Sequence, residues 1–396
     1  MYFRPPVWPM ALGQPGAQSF ALLFAFESFA RATISTVVPL QVLDVTGDPQ
    51  NTSTLLFFMA LIGISGNLAV PLLVRVLSRR FTFTLGCLML VATAFSFAEH
   101  TLASTALGLF LRVFSASCSI VCLNLYILDH LHGRELNKIE PLRLFLAGFA
   151  WTLGPWLGVH LSLHYGHAVP FLLAACAALL CLAYFWYLRI TDNPVIVRAR
   201  SAPPNPFKAI GVYFRQPRLR LAWLIAMIRT AWWATFYTYG PIFAVTAGLG
   251  REAGGLMVSA ASALLFFSPF YGRVLQRKGV RWLVIRGFLV AGGVTLTAAL
   301  LSPITPAVAA AVLVLAACAV AALDVAGNLP FLRTVRPSQR APMTSVFLTY
   351  RDAATIAPQG LFSVLLRVLP LPFVFVASGL SLLTLAWYSR FLPRRL

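Results

Sequence analysis

Long apolar runs constrain this chain more than any other feature. A helix that crosses a bilayer needs about 20 mostly apolar residues. Twelve such runs can be marked, at approximately 17–40, 53–77, 82–99, 103–128, 141–163, 168–190, 219–247, 253–276, 282–301, 306–332, 342–368 and 371–391. Their length excludes a membrane β-barrel, whose strands alternate over about ten residues. Only 11% of the residues are charged and 59% are hydrophobic, against about 25% and 45–50% in soluble domains. A secreted disulfide scaffold, a disordered chain and a cytosolic enzyme are excluded. All six cysteines, Cys87, Cys118, Cys122, Cys176, Cys181 and Cys318, lie inside apolar runs without a C-x-x-C pair. They behave as small buried hydrophobes.

The formal charge is +20, and its placement matters more than its size. With the N-terminus in the cytoplasm, the inner segments hold 25 of the Lys and Arg residues and the outer segments hold Arg251 and Arg367 alone. Arg31, Arg112, Arg229 and Arg351 fall within spans. This asymmetry follows the positive-inside rule and places both termini on the cytoplasmic side. It explains the charge without nucleic acid, and it implies contact with anionic membrane lipids. Arg4, four prolines in the first 16 residues and no small-residue cleavage site argue against a signal peptide.

The longest inner loop, polar, basic and proline-rich, divides the spans six and six. The expected organisation is one half at 1–190, a linker at 191–218 and a second half at 219–396. An internal repeat supports it. Residues 71–80 and 269–278 share the pattern P-x-x-x-R-V-L-x-R-[R/K], each at the inner end of the second span of its half. Two halves in one orientation are the parallel repeats of a large transporter class.

These features resemble the major facilitator superfamily over essentially the whole chain. That family carries a basic motif, G-x-L-a-D-r-x-G-r-k, between spans 2 and 3 and a weaker copy between spans 8 and 9. Here Pro71 stands for its first glycine, Leu73 for the leucine, Arg75 for the aspartate, Ser78 for the second glycine, and Arg79 and Arg80 for the basic pair. Arg273 and Arg277 occupy the second copy. Span 5 holds Gly154-Pro155-Trp-Leu-Gly158, similar to the G-P-x-x-G core of the family's drug:proton antiporters, which implies a hinge or seal. Arg112 matches the arginine of the family's span-4 motif, though Ser115 and Ala116 replace the expected residues after it. The resemblance implies an all-α membrane protein of twelve helices in two halves related by a pseudo-twofold axis, with spans 1, 4, 7 and 10 lining a central cavity.

Ionised groups in a bilayer are costly and usually face a cavity or a partner. Three acids lie within spans, Glu27, Asp324 and Asp352, and these are the proton-coupling candidates. Four arginines join them, leaving an excess of positive charge that favours an anionic or zwitterionic substrate. Arg31, Arg112, Arg229 and Arg351, with Asn328 and Tyr237, are the substrate-binding candidates, because a guanidinium fork suits carboxylate or phosphate.

Glu27 and Arg31 are four apart and share a helix face, as a structural ion pair or as a proton carrier with its tuning charge. Aligning Pro39 with Pro241 places Glu27 opposite Arg229 across the pseudo-twofold axis. Asp324 and Arg351 fall at similar depth and can pair. Asp129 can latch Arg75 or Arg143. Gating candidates are therefore Arg75, Arg79, Arg80, Asp129, Gly154, Pro155, Gly158, Arg273 and Arg277. His160, His164 and His167, with no acid or cysteine nearby in sequence, do not make a metal site, nor do His130 and His132. The aromatic run Trp232, Trp233, Phe236, Tyr237, Tyr239 serves either packing or stacking against a substrate.

No P-loop, GxSxG or HExxH motif occurs. No ATP hydrolysis and no cofactor is expected, so active transport would draw on an ion gradient. The expectation is a monomeric, proton-coupled secondary transporter (an antiporter, by the span-5 resemblance) exporting a small organic solute across the cytoplasmic, or inner, membrane. Two alternatives stay open: efflux of lipophilic compounds through an aromatic-lined cavity, and a non-transporting membrane enzyme or assembly factor on the same scaffold.

Overall fold

The computed structural model describes residues 17–130, 134–188, 206–335 and 340–392, which are helical with no strand among them. The helices join end to end into twelve rods that follow the twelve apolar runs. Span 1 is α1 (Ala17–Ile34) and α2 (Val37–Thr46), broken at Ser35–Thr36. Spans 2 and 3 share α3 (Pro49–Ala98), and α4 (Leu102–His130), α5 (Arg134–His164) and α6 (Val169–Tyr187) are spans 4 to 6. A short α7 (Pro206–Arg215) precedes α8 (Pro217–Thr246), which is span 7. Span 8 combines α9 (Arg251–Ala263), a 3-10 turn and α10 (Ser268–Lys278). Span 9 is α11 (Val280–Leu301), and span 10 is α12 (Pro306–Ala326) followed by α13 (Leu329–Leu332). Span 11 is α14 (Arg340–Leu348) with α15 (Tyr350–Leu365), and span 12 is α16 (Pro372–Tyr388).

Among the described residues, eight segments are long and apolar enough to cross a membrane. The rods outside that set are spans 2, 5, 7 and 11. The most extensive packing between the first six rods and the last six is span 5 against α9 and span 2 against α15. The outer surface is apolar. Phe58, Phe95, Leu107, Leu153, Leu180, Leu315 and Leu361 are each more than half exposed, a surface that suits acyl chains and not water.

Local chemistry sets the ends of the rods. Gly47 closes span 1 in the left-handed region (φ 72°), and its N–H donates to the Leu43 carbonyl. Asp48 opens span 2 by accepting from the Gln50 and Asn51 amides, with Pro49 in the first helical turn, where its missing donor costs nothing. At the opposite end, α7 lays Tyr213 into a cluster with Phe331, Phe347 and Tyr350 of spans 10 and 11. Burial pushes the Tyr213 phenol up from its ordinary value, and its hydroxyl donates to the Leu219 carbonyl at 2.9 Å.

The repeat is visible in the backbone. Span 2 turns into span 3 at Ser78 (φ 67°, ψ 162°) and span 8 into span 9 at Gly279 (φ 82°, ψ 163°). The two halves use one turn conformation, but only the second gives it to glycine. A non-glycine residue there carries roughly 1–3 kcal/mol of strain. Ser78→Gly is expected to raise the melting midpoint in detergent by about 1 kcal/mol of stability once glycine's own entropy cost is subtracted, and Ser78→Val to lower it. Equal midpoints for all three proteins would show that the turn is unstrained.

Candidate functional site

A cavity of about 430 Å³ lies between spans 1, 2, 4 and 11, within the roughly 300–1,000 Å³ typical of small-molecule sites. Its walls are aliphatic, with Leu56, Met59, Leu109, Val113, Ile120 and Ile356, and no lining side chain among the described residues is aromatic. Three guanidiniums line it, Arg31, Arg112 and Arg351, against one carboxylate, Asp352. Ser117, Thr355 and Gln359 are its uncharged polar side chains. Helical periodicity gathers them. Arg112, Ala116 and Ile120 recur every four residues on span 4, while Asp352, Thr355, Ile356 and Gln359 form one stripe of α15.

The three arginines differ in what holds them. Arg31 Nε lies 2.6 Å from Glu27 Oε1, and its Nη2 donates to Oε2 at 3.0 Å. Glu27 itself is buried. The guanidinium of Arg351 is exposed and lies 6.0 Å from the Tyr350 ring. Arg112 has no acidic partner among the described residues. Its Nε is buried without a hydrogen bond, and Arg31 is near enough for their charges to repel. A buried ion without a partner costs several kcal/mol. An anionic group between Arg31 and Arg112 would offset that cost through charge-assisted hydrogen bonds.

A second ionic group lies in the last six rods. Arg229 Nε is 3.0 Å from Asp324 Oδ1, its Nη1 lies 3.5 Å from the Leu323 carbonyl, and Trp233 Nε1 donates to Asp324 Oδ2 at 2.7 Å. Gly327, three residues past Asp324, adopts φ 48° and breaks span 10 there. Tyr237 shares a hydrogen bond of 3.0 Å with Ser262, and its ring meets Trp151 of span 5 at 5.4 Å.

One end of the bundle is sealed. Arg251 at the start of span 8 grips Asp44 of span 1 with two hydrogen bonds of 2.9 and 2.6 Å. Ser53 and the buried Tyr239 hydroxyl are 2.7 Å apart, and His160 lies 3.3 Å from Glu252. The Trp156 amide donates to Ser259 of span 8 at 3.0 Å. Below these contacts, Gly154 and Gly158 press span 5 onto the break in span 1, and Gly255 presses span 8 onto Pro155 and Trp156. At the other end, Arg75, Val76, Arg273 and Arg277 are exposed. Leu348 and Arg351, on the cavity side nearer those basic turns, are exposed, whereas Gln359, nearer the seal, is buried.

The family model of the major facilitator superfamily matches residues 20–358. The chain belongs to the major facilitator superfamily. It is an integral membrane protein and a secondary transporter by that membership. Solved facilitator structures share the fold. The nucleoside transporter NupG is 14% identical with a TM-score of 0.72, covering 94% of this chain and 98% of its own. A POT family transporter in complex with 5-aminolevulinic acid is 12% identical with a TM-score of 0.75, covering 94% and 95%. A peptide transporter POT in complex with sulfate is 14% identical with a TM-score of 0.74, covering 95% of this chain and 94% of its own. No curated protein matches by sequence.

Within this facilitator, four of the sequence-predicted site residues meet at the cavity: Arg31, Arg112, Arg351 and Asp352. Two expected pairings are corrected. Glu27 does not face Arg229 across the pseudo-twofold axis, because Arg31 one turn away already holds it. Asp324 does not pair with Arg351, because Arg229 and the Trp233 indole take both its oxygens. Asn328 sits at the span-10 break, and it and Tyr237 lie away from the cavity lining. Arg80 stacks on the Trp186 ring at 3.8 Å, tying span 3 to span 6, and Arg79 is engaged as well. The side chains of Asp129 and His130, and His132, lie outside the described residues. The histidines that follow span 5 do have an acid beside them, since Glu252 reaches His160. Asp44, Arg251, Ser259 and Gln359 carry no signal in sequence beyond their types.

Proposed function

We propose that this facilitator is a proton-coupled exporter of a small organic anion. Two halves, residues 1–190 and 219–396, rock about the cavity, and the 191–218 segment joins them on the cytoplasmic side. The observation that carries the reading is Arg112, a guanidinium in an aliphatic cavity with a buried, unpartnered Nε and a second arginine beside it. Arg31 and Arg351 complete the anion site, with Asp352 setting its edge. The positive-inside distribution orients the sealed end outward, so the described state opens to the cytoplasm, ready to load an exported solute. Glu27 and Asp324 are the proton carriers of this scheme. Each is buried or half-buried against one arginine, so protonation frees that arginine and changes how the halves fit. Export rests on the resemblance of the Gly154-Pro155-x-x-Gly158 core to drug:proton antiporters.

The test is ligand-induced thermal stabilisation of the purified protein in detergent, with small carboxylates and organic phosphates set against lipophilic cations at two pH values. A ligand at 100 times its Kd adds about 2.7 kcal/mol to the folded state. Stabilisation by anions alone is the expected outcome, stronger or weaker at the second pH as protons are exchanged. Stabilisation by lipophilic cations, with none by anions, would overturn the reading in favour of lipophilic efflux.

A further inference from the structure

We infer that Gln359 recognises the end of the substrate opposite its charge, and that the cavity is fitted to an aliphatic monoanion bearing a neutral hydroxyl or carboxamide at its far end. This rests on the anion-site reading above and adds a second contact to it.

The observation is an unused amide. Gln359 lines the cavity and is only 9% exposed, its Oε1 is buried, and its side chain makes no hydrogen bond with any described residue. A buried amide without partners is costly, and in this cavity the free partner positions belong to whatever enters it. The backbone under Gln359 is fixed, since the adjoining Gly360 packs against the Phe57 ring of span 2.

Position gives the chemistry. On α15 the charged groups, Arg351 and Asp352, stand at the end away from the seal, and Gln359 stands two turns, about 10 Å, beyond Asp352. Thr355 and Ile356 lie between on α15, and the walls of spans 2 and 4 are aliphatic apart from Arg112 and Ser117. The charged groups therefore stand away from the seal and along span 4, and the uncharged amide of Gln359 stands at the end nearer the seal. A second carboxylate at the far end would call for a cation there, and an ammonium would call for an acid. A primary amide supplies one acceptor and two donors without charge, which suits a hydroxyl or a carboxamide.

The experiment titrates the purified full-length protein with straight-chain ω-hydroxycarboxylates and with unsubstituted carboxylates of the same chain length, reading the melting midpoint to obtain Kd. Wild-type protein is expected to bind the hydroxy acid about tenfold more tightly, the value of one satisfied hydrogen bond. Gln359→Leu is expected to bring the two within about twofold by tightening neither and weakening only the hydroxy acid. Gln359→Met, unbranched and of similar length, replaces it if the leucine variant does not fold. Equal binding of the two series by the wild type, or a tenfold preference surviving in Gln359→Leu, overturns the inference while leaving the anion site standing. Binding of neither series, or binding that survives Arg112→Met, overturns the anion site and this inference with it.

Discussion

Arg112→Met is expected to abolish anion flux into proteoliposomes, by at least about a hundredfold, while leaving the melting midpoint of the ligand-free protein unchanged or higher. The two effects have one cause. Arg112 has no acidic partner among the described residues, so removing it relieves a buried unpaired charge instead of creating one. A desolvated charge contact to a ligand is worth roughly 2–5 kcal/mol, and about 2.7 kcal/mol is a hundredfold. Arg229→Met is the matched control and should do the reverse to stability. It leaves Asp324 with only the Trp233 indole, and breaking a buried pair costs about 3–5 kcal/mol. Arg112→Lys should keep the charge and lose the fork, retaining part of the flux. If Arg112→Met melts as far below the wild type as Arg229→Met does, Arg112 is a structural residue and the substrate charge is met elsewhere.

The same contrast explains what could be inferred from sequence. Arginines inside apolar runs are visible because their burial must be compensated, so Arg31, Arg112 and Arg351 could be named before any geometry. The Glu27–Arg31 pair was visible in its spacing of four residues, whereas the partner of Arg229 was not. Pro39 and Pro241 align the two halves and suggest an exchange of charge between them, but proximity along one helix settles the first pair and an indole donor settles the second. Asp44 and Arg251 grip each other across 207 residues, near turns where charges are ordinary. Gln359 is a neutral amide in an apolar run, and only its place on the Asp352 stripe distinguishes it. The twelve rods were visible as apolar runs, but the breaks at Ser35–Thr36 and Thr349 were not, because neither site contains glycine or proline. Span 5 presses in beside the first of them.

Gly158→Ala should therefore be among the most damaging single-methyl additions in the chain. A Cβ at Gly158 would collide with the Thr33 carbonyl oxygen, and at Gly154 it would come within 2.7–2.9 Å of Ala32 and the Thr33 amide. These are backbone atoms and one alanine methyl fixed to the backbone, next to the break in span 1, and none can swing aside as a side-chain tip can. Span 5 cannot simply retreat, because Gly255 of span 8 packs on Pro155 and Trp156 from the other side, with its own Cβ position 3.2 Å from the Pro155 carbonyl oxygen. Overpacking of a close-packed interior costs about 1–3 kcal/mol when side chains can adjust. With backbone on both faces, the expected loss lies at or above the upper figure, seen as a melting midpoint many degrees lower. Gly154→Ala should cost less, since its closest approach, 2.7 Å, is less severe than the collision at Gly158. Gly211→Ala, on α7 with nothing within 4 Å of its Cβ position, should be neutral or slightly stabilising. The order Gly158, Gly154, Gly211 is the measurement. A Gly158→Ala protein that melts with the wild type would mean that spans 1 and 5 stand further apart than the motif requires, and the seal would then rest on Asp44–Arg251, Ser53–Tyr239, His160–Glu252 and Trp156–Ser259.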